Sequence, residues 1–383
     1  HITRSVEKHT HTVVFLGHHE LAVAAISIYP HPGGIVAGIH PVGSDGVEAD
    51  GSRAYGISIP IEAHAADTSY GGQRTLAMDT ETRLNHLAEA LAADRLQLFT
   101  DQLSWWKVWC TARGVSASSL VRNLECMAKE LEERLPARTA QRVRSTIQAG
   151  IDHLDVAPSE LSSYLEADGP HVGLARQFLL AVLETRETDA IQLIMDAFES
   201  GIAIDALHEQ VLTLVQKEVG RMWQMQEITI AEEHYCTGIV STAMTLMRSR
   251  AKRAEPNGRR VITTAVSDET HALGILLVTQ AFEANGWTAI NLGANTPVDA
   301  IIDAARDFGC DVIALSVSLV AYVRRTSELI ATLRTHEVTA SIPILVGGQP
   351  FNLVEDLWQV VGADGCAATS TGSPGKAAQL LGA

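Results

Sequence analysis

Positive charge is what this chain lacks most: 29 Lys and Arg stand against 45 Asp and Glu, a formal net charge of -16 over 383 residues. Phosphate contacts need a basic face, so direct nucleic-acid binding is not expected. Arg248, Arg250, Lys252, Arg253, Arg259 and Arg260 do gather in one short stretch, which reads as a solvated hinge. The five cysteines, Cys110, Cys126, Cys236, Cys310 and Cys366, are scattered and form neither a zinc pair nor a disulfide framework. That usage fits a reducing cytoplasm. No apolar run is long enough to span a bilayer and no signal peptide is evident, so neither a membrane nor an export route is expected. Internal repeats are absent, and low complexity is confined to a Gly/Pro-rich N-terminal portion. What is present in quantity is apolar sequence, 46% of the chain, enough for two or three domains with real cores.

Residues 1–80 read as a β-rich or loosely ordered arm. Val13 to Leu16, Ala22 to Tyr29, Ile35 to Ile39 and Tyr55 to Ile61 are strand-like, but Pro30, Pro32, Gly33, Gly34 and a polar stretch from Gly43 to Arg53 interrupt them. His1, His9, His11, His18 and His19 lack the spacing of a metal site and read as solvated. Residues 81–165 read as a helical domain, with Leu84, Leu87, Leu91, Trp105, Trp106, Trp109, Leu120, Leu124, Met127 and Leu131 at core spacing.

Residues 170–253 carry four amphipathic runs, Gly173 to Glu184, Thr188 to Glu199, Ile204 to Met222 and Ala231 to Arg248, as a four-helix bundle would. Thr229 and Glu232 have the form of a capping box before the last run. Trp223 therefore ends one helix while Glu233 and His234 open the next, nine residues separating Trp223 from Glu233.

From residue 258 to 383 the pattern changes. Strands near 261–266, 288–292, 312–317, 342–346 and 364–368 alternate with helical runs, which predicts a flavodoxin-like, doubly wound parallel sheet. The first strand ends in Asp268-Glu269-x-His271-x-x-Gly274. An imidazole at the carboxyl end of a strand lies where open α/β sheets bind ligands, and Glu269 can accept its second N-H and fix its tautomer. A phospho-receiver domain shares the layout, but its third strand needs an Asp where this chain has Ser316. The dinucleotide fingerprint Gly-x-Gly-x-x-Gly is absent after the first strand.

Glu269-x-His271-x-x-Gly274 resembles the Asp-x-His-x-x-Gly of the cobalamin-binding domain shared by methionine synthase, mutases and B12-dependent photoreceptors, with Glu269 in place of Asp. Leu292-Gly293 with Pro297, Ser316 and Ser318, and Gly347-Gly348 fall at that family's spacing. The resemblance implies that His271 displaces the cofactor's own base from cobalt. It also implies that the freed nucleotide tail enters a slot where the serines bond it and the glycines leave room. Trp223-x9-Glu233-His234 is similar to the signature of the light-sensing B12 receptors. That resemblance places the Trp above the corrin, with Glu233 and His234 around a 5′-deoxyadenosyl group. An aromatic-rich helical segment ahead of it looks like the photocobilins, and this implies biliverdin as a second chromophore. Cys110 and Cys126 are then candidate anchors. In light-sensing repressors a His follows the Trp; here the position is Gln224.

The expectation is thus a multidomain α and α/β chain: helical N-terminal region, four-helix-bundle cap, Rossmann-like cobalamin-binding domain. Its cofactor contacts would be Trp223, Glu233, His234, Asp268, Glu269, His271, Gly274, Ser316, Ser318, Gly347 and Gly348, with His271 on cobalt and no catalytic residues. It would be a sensor rather than an enzyme. Adenosylcobalamin photolysis would change domain packing or the state of a homo-oligomer, with output to a partner protein or another domain. The alternatives are a corrinoid methyl carrier or mutase module, and a B12 storage protein.

Overall fold

A computed structural model describes residues 9–17, 20–31, 34–42, 55–58, 70–166, 168–252 and 254–382, with side chains from residue 80 onward except 81. His1, His18, His19, Pro32, Gly33 and the stretch from Gly43 to Arg53 lie outside the described residues. The chain divides into two compact units, one comprising residues 1–110 and 115–157, the other 111–114 and 158–383.

The first unit holds an antiparallel meander, β1 His9–Gly17, β2 Glu20–His31, β3 Gly34–Val42 and β4 Tyr55–Ser58, in the order β1-β2-β3-β4. The first three predicted strand-like runs fall on β1, β2 and β3, and the fourth falls on β4 as far as Ser58, residues 59–61 lying outside the described residues. The prolines are tolerated because Pro30 pairs only with Ile35 beyond the end of β1, and Pro41 pairs only with Ala24 beyond the reach of β4. Four helices follow, α1 Tyr70–Ala93, α2 Leu96–Ala112, α3 Ala117–Arg134 and α4 Ala137–Val156. The first starts about ten residues earlier than predicted, so residues 70–80 belong to a helix rather than to the arm. Gly71 and Gly72 hide that start from any propensity reading. Leu84, Leu87, Leu91, Leu120, Leu124, Met127 and Leu131 are buried, as their spacing requires. Of the three tryptophans Trp106 is buried, and half-buried Trp105 and Trp109 meet it edge-on at 5.2 and 5.3 Å.

The second unit begins with the bundle: α5 Val172–Leu183, α6 Glu187–Glu199, α7 Ile204–Leu207, α8 Thr213–Gln224 and α9 Ile230–Arg250. A π-helical turn, His208–Leu212, joins α7 to α8, so the third predicted helix is one interrupted rod. Phe178, Ile194, Val211, Val215, Val219 and Met244 form its core.

Past the bundle, β5 Arg260–Ala265, β6 Thr288–Gly293, β7 Val312–Ser316, β8 Ile344–Gly347 and β9 Gly365–Ala367 pair in parallel, in the order β6-β5-β7-β8-β9. The helices α10 Ala272–Ala284, α11 Val298–Phe308, α12 Val323–Thr335, α13 Gln349–Leu353, α14 Leu357–Val360 and α15 Ser373–Leu380 connect and cover them. From Val261 to Ala265 every residue of β5 is buried, which is why the run is apolar and β-branched without alternation. Strand order reverses between β5 and β7, and a crevice at the carboxyl ends of such strands is the usual ligand position in this architecture. Among the described residues no helix is long and apolar enough to cross a membrane.

Candidate cofactor site at the carboxyl end of the sheet

The site starts from one fully buried carboxylate. Glu269 has no exposed side-chain surface, yet it accepts from the backbone N-H of His271 at 3.0 Å, from that of Ser318 at 2.9 Å, and from His271 Nδ1. Burial pushes its carboxyl upward, but the bonds from His271 and Ser318 outweigh that and hold it below the ordinary range. His271 stands at the N-cap of α10, its side chain 52% exposed. Its bond to Glu269 raises the imidazole above its usual value against the effect of burial, and the charges of Glu269 and Glu233 add to this. With Nδ1 committed to Glu269, Nε2 is the nitrogen left to meet a metal.

These shifts fix a pH dependence. A carboxylate held low stabilises the fold above its ordinary value and loses that effect as pH falls through the lowered one. An imidazole held high stabilises the fold below its ordinary value and loses that effect as pH rises through the raised one. The pair's contribution to the corrinoid-free chain is therefore complete between about pH 4.3 and 6.5 and wanes on either side. Melting the chain and its His271→Ala variant across pH should show the gap in Tm narrowing as pH climbs past the neutral range. A constant gap would contradict the assignment.

The glycines are required for reasons the sequence does not reveal. A Cβ on Gly274 would lie 2.9 Å from the hydroxyl of Ser316, which is itself buried. One on Gly347 would lie 2.9 Å from the carbonyl of Ala367, and one on Gly348, at φ +119°, would lie 1.9 Å from that of Val317. The last two are thus demanded by the close approach of the protein's own backbone, whatever room they leave beside it. Ser318 enters the site through its backbone N-H on Glu269, a contact that the Ser-x-Ser pattern did not announce.

On the bundle side, Trp223 lies in the last turn of α8, half-buried and packed against the bundle core. Gln226, at φ +62°, closes α8, with the N-H of Glu227 on the Met222 carbonyl and its own N-H on that of Trp223. Buried Arg221 fixes this end further by pairing with Glu218 at 2.8 Å and with Glu227 at 2.7 Å. The expected capping box is formed: Thr229 Oγ1 accepts from the Glu232 N-H, and Glu232 accepts from the Thr229 N-H. It delivers Glu233 and His234 in the first turn of α9, where Glu233 bonds His234 Nδ1 at 2.5 Å and accepts from Thr237 at 2.9 Å. Glu233 is also close enough to raise the His271 imidazole, so a bundle carboxylate and the sheet imidazole share one electrostatic neighbourhood.

A lone imidazole cannot cage a bare cation, but it suffices as one axial ligand to a metal already held in a macrocycle. The exposed Nε2, backed by a buried carboxylate at a switch point of the sheet, fits that group. Around it the structure adds residues that the sequence did not single out. Asn295, Tyr322 and Arg325 all contact Asp268. Asn295 follows Gly293 in a turn, a weak local signal, whereas Tyr322 and Arg325 arrive from more than fifty residues away and leave none.

Comparison with known proteins finds matches in both parts of the second unit. Family models described as B12 binding domain match residues 259–373 and, separately, 174–247. A corrinoid protein of Desulfitobacterium hafniense is 26% identical over 205 residues, 53% of this chain and 91% of that protein. Dimethylamine corrinoid protein 3 of Methanosarcina acetivorans is 19% identical over 211 residues, 55% of this chain and 97% of its own length. The structure of the monomethylamine corrinoid protein of Methanosarcina barkeri covers 56% of this chain and all of its own, at 18% identity and a TM-score of 0.49. The two domain matches and these relatives support placing the chain in a cobalamin-binding family.

Proposed function

We propose that the second unit holds a corrinoid with its own base displaced, His271 Nε2 binding cobalt from the sheet side and the nucleotide tail lying beside Ser316, Gly274, Gly347 and Gly348. The observation that carries this is the buried Glu269 carboxylate, which orients His271 and keeps its basicity high. When bound, a corrinoid supplies a cobalt whose upper ligand can be exchanged. The chain's part is to fix the lower nitrogen, to seat the tail, and to limit access from the bundle side. The names of the relatives, corrinoid proteins linked to dimethylamine and monomethylamine, favour carriage of a methyl group between partner proteins. Stoichiometric methyl transfer from methylcobalamin-loaded protein to an added thiol, with or without a methyltransferase as catalyst, tests it, the products being a methyl thioether and the demethylated corrinoid; a methyl group inert to every thiol offered would count against carriage.

Light sensing with adenosylcobalamin is the second reading. It is favoured by Trp223 and the Glu233-His234 pair at the bundle's end, with Glu233 in electrostatic reach of His271. A lid that packs on an adenosyl group in the dark loses that differential contact once the group is gone, so the balance of arrangements must shift. In this reading, chain loaded with adenosylcobalamin in darkness changes mass on size exclusion after green light, and Trp223→Ala keeps the corrinoid but abolishes the change. An elution volume unmoved by full photolysis would eliminate it. Biliverdin belongs to the same reading, and a far-red band in protein prepared with both compounds is its signature.

A further inference from the structure

Asp268 sits in a conformation that its side chain does not favour. Val266 to Glu269 form a turn closed by the Glu269 N-H on the Val266 carbonyl at 3.1 Å, and Asp268, at φ +67°, takes the third position, where glycine is usual. Three distant groups hold it there. Asn295 Oδ1 accepts its N-H at 2.8 Å, the Tyr322 hydroxyl donates to its carbonyl at 3.0 Å, and the Arg325 guanidinium pairs with its carboxylate. Arg325 also reaches the Ser267 carbonyl at 3.4 Å and lies 5.9 Å from the Tyr322 ring centre, while Ser267 Oγ donates to the Thr296 carbonyl at 3.2 Å. Two loops and the start of α12 therefore converge on the residue before Glu269.

We propose that Tyr322 and Arg325 are positioning residues, forming with Asn295 a clasp that fixes the left-handed turn at Asp268 and so aims the Glu269-His271 pair. The clasp bonds reach Asp268 and Ser267 rather than the His271 ring, so the clasp acts through the backbone. The turn decides where Glu269 enters the core, and Glu269 decides the tautomer and direction of His271. The ion pair is exposed on both sides, 43% at Arg325 and 66% at Asp268, and such pairs add little to stability. A role confined to folding would thus leave little trace, whereas a positioning role alters which nitrogen meets cobalt. The inference rests on the proposed corrinoid site.

The test uses the full chain labelled with 15N, loaded with unlabelled cob(II)alamin, and electron paramagnetic resonance. A protein imidazole splits each cobalt line into a doublet, and the cofactor's own 14N base splits it into a triplet. Wild type should give the doublet. Tyr322→Phe combined with Arg325→Ala should shift the signal toward the triplet and weaken capture by about threefold to tenfold, at a nearly unchanged Tm. Arg325→Lys, which keeps a cation for Asp268, should stay close to wild type. Should the double variant melt early, Tyr322→Phe alone carries the same comparison, since it removes only a hydrogen bond. A doublet and an affinity equal to wild type in the clasp variants would overturn the clasp and leave the role of His271 standing. A triplet in wild type, or no capture, would overturn both.

Discussion

His271→Ala should lower corrinoid affinity by about a hundredfold, close to 2.8 kcal/mol, and leave any residual cofactor carrying its own base. Two losses combine. The imidazole stands just past the carboxyl end of β5 with its side chain half exposed, and its partner Glu269 is wholly buried. Removing the ring deletes one of three donors to that carboxylate and leaves the N-H groups of residue 271 and Ser318. The corrinoid-free variant should therefore also be less stable, by about 1 to 3 kcal/mol. Equilibrium titration with hydroxocobalamin, followed by its absorption spectrum, measures the first effect, and added imidazole should restore part of the lost affinity by filling the vacated position. Unchanged affinity with a protein-derived axial nitrogen would remove His271 from the proposal.

Gly348→Ala should be the most damaging single methyl addition in the second unit. At φ +119° and ψ -178° its backbone occupies a region nearly confined to glycine, and the new carbon would lie 1.9 Å from the Val317 carbonyl oxygen. Neither problem can be relieved by a side-chain rotation, because the obstacle is backbone at the end of β7. We expect a loss of about 3 kcal/mol or more, or roughly 6 to 12 °C in Tm for a unit of this size. Gly347→Ala is the control. It has no positive φ and a looser 2.9 Å approach to Ala367, so it should cost visibly less. Equal melting of the two variants would show that backbone strain at Gly348 is not what holds the loop.

These residues also mark how far the sequence can be read. The β5 run was legible because a strand buried on both faces has no polar alternation to blur it. The bundle helices were legible because each must present an apolar stripe to a common core, and Thr229 with Glu232 announced a real cap. The π turn at His208–Leu212 was not, since one extra residue per turn alters a helix's phase without altering its composition. Gly347 and Gly348 were legible as a motif, but not the carbonyls that forbid a side chain there. Around Asp268 the sequence is silent for a simpler reason: Tyr322 and Arg325 matter only through contacts across more than fifty residues, and no local pattern encodes those.

One helix carries a mechanical consequence. The N-cap of α10 is His271; Leu273, Leu276 and Leu277 lie against the bundle core, and Phe282 lies in the core beneath the sheet. Near its far end, buried Glu283 is gripped by Arg248 from the last turn of α9, with Arg248 Nε at 2.6 Å. The rod that starts at His271 is therefore also the floor on which the bundle stands. The bundle cannot tilt as an independent flap: it must either slide across those leucines or drag the rod along, and dragging it would re-aim the imidazole. A change in the packing of the bundle and a change in the direction of His271 would thus share one moving part.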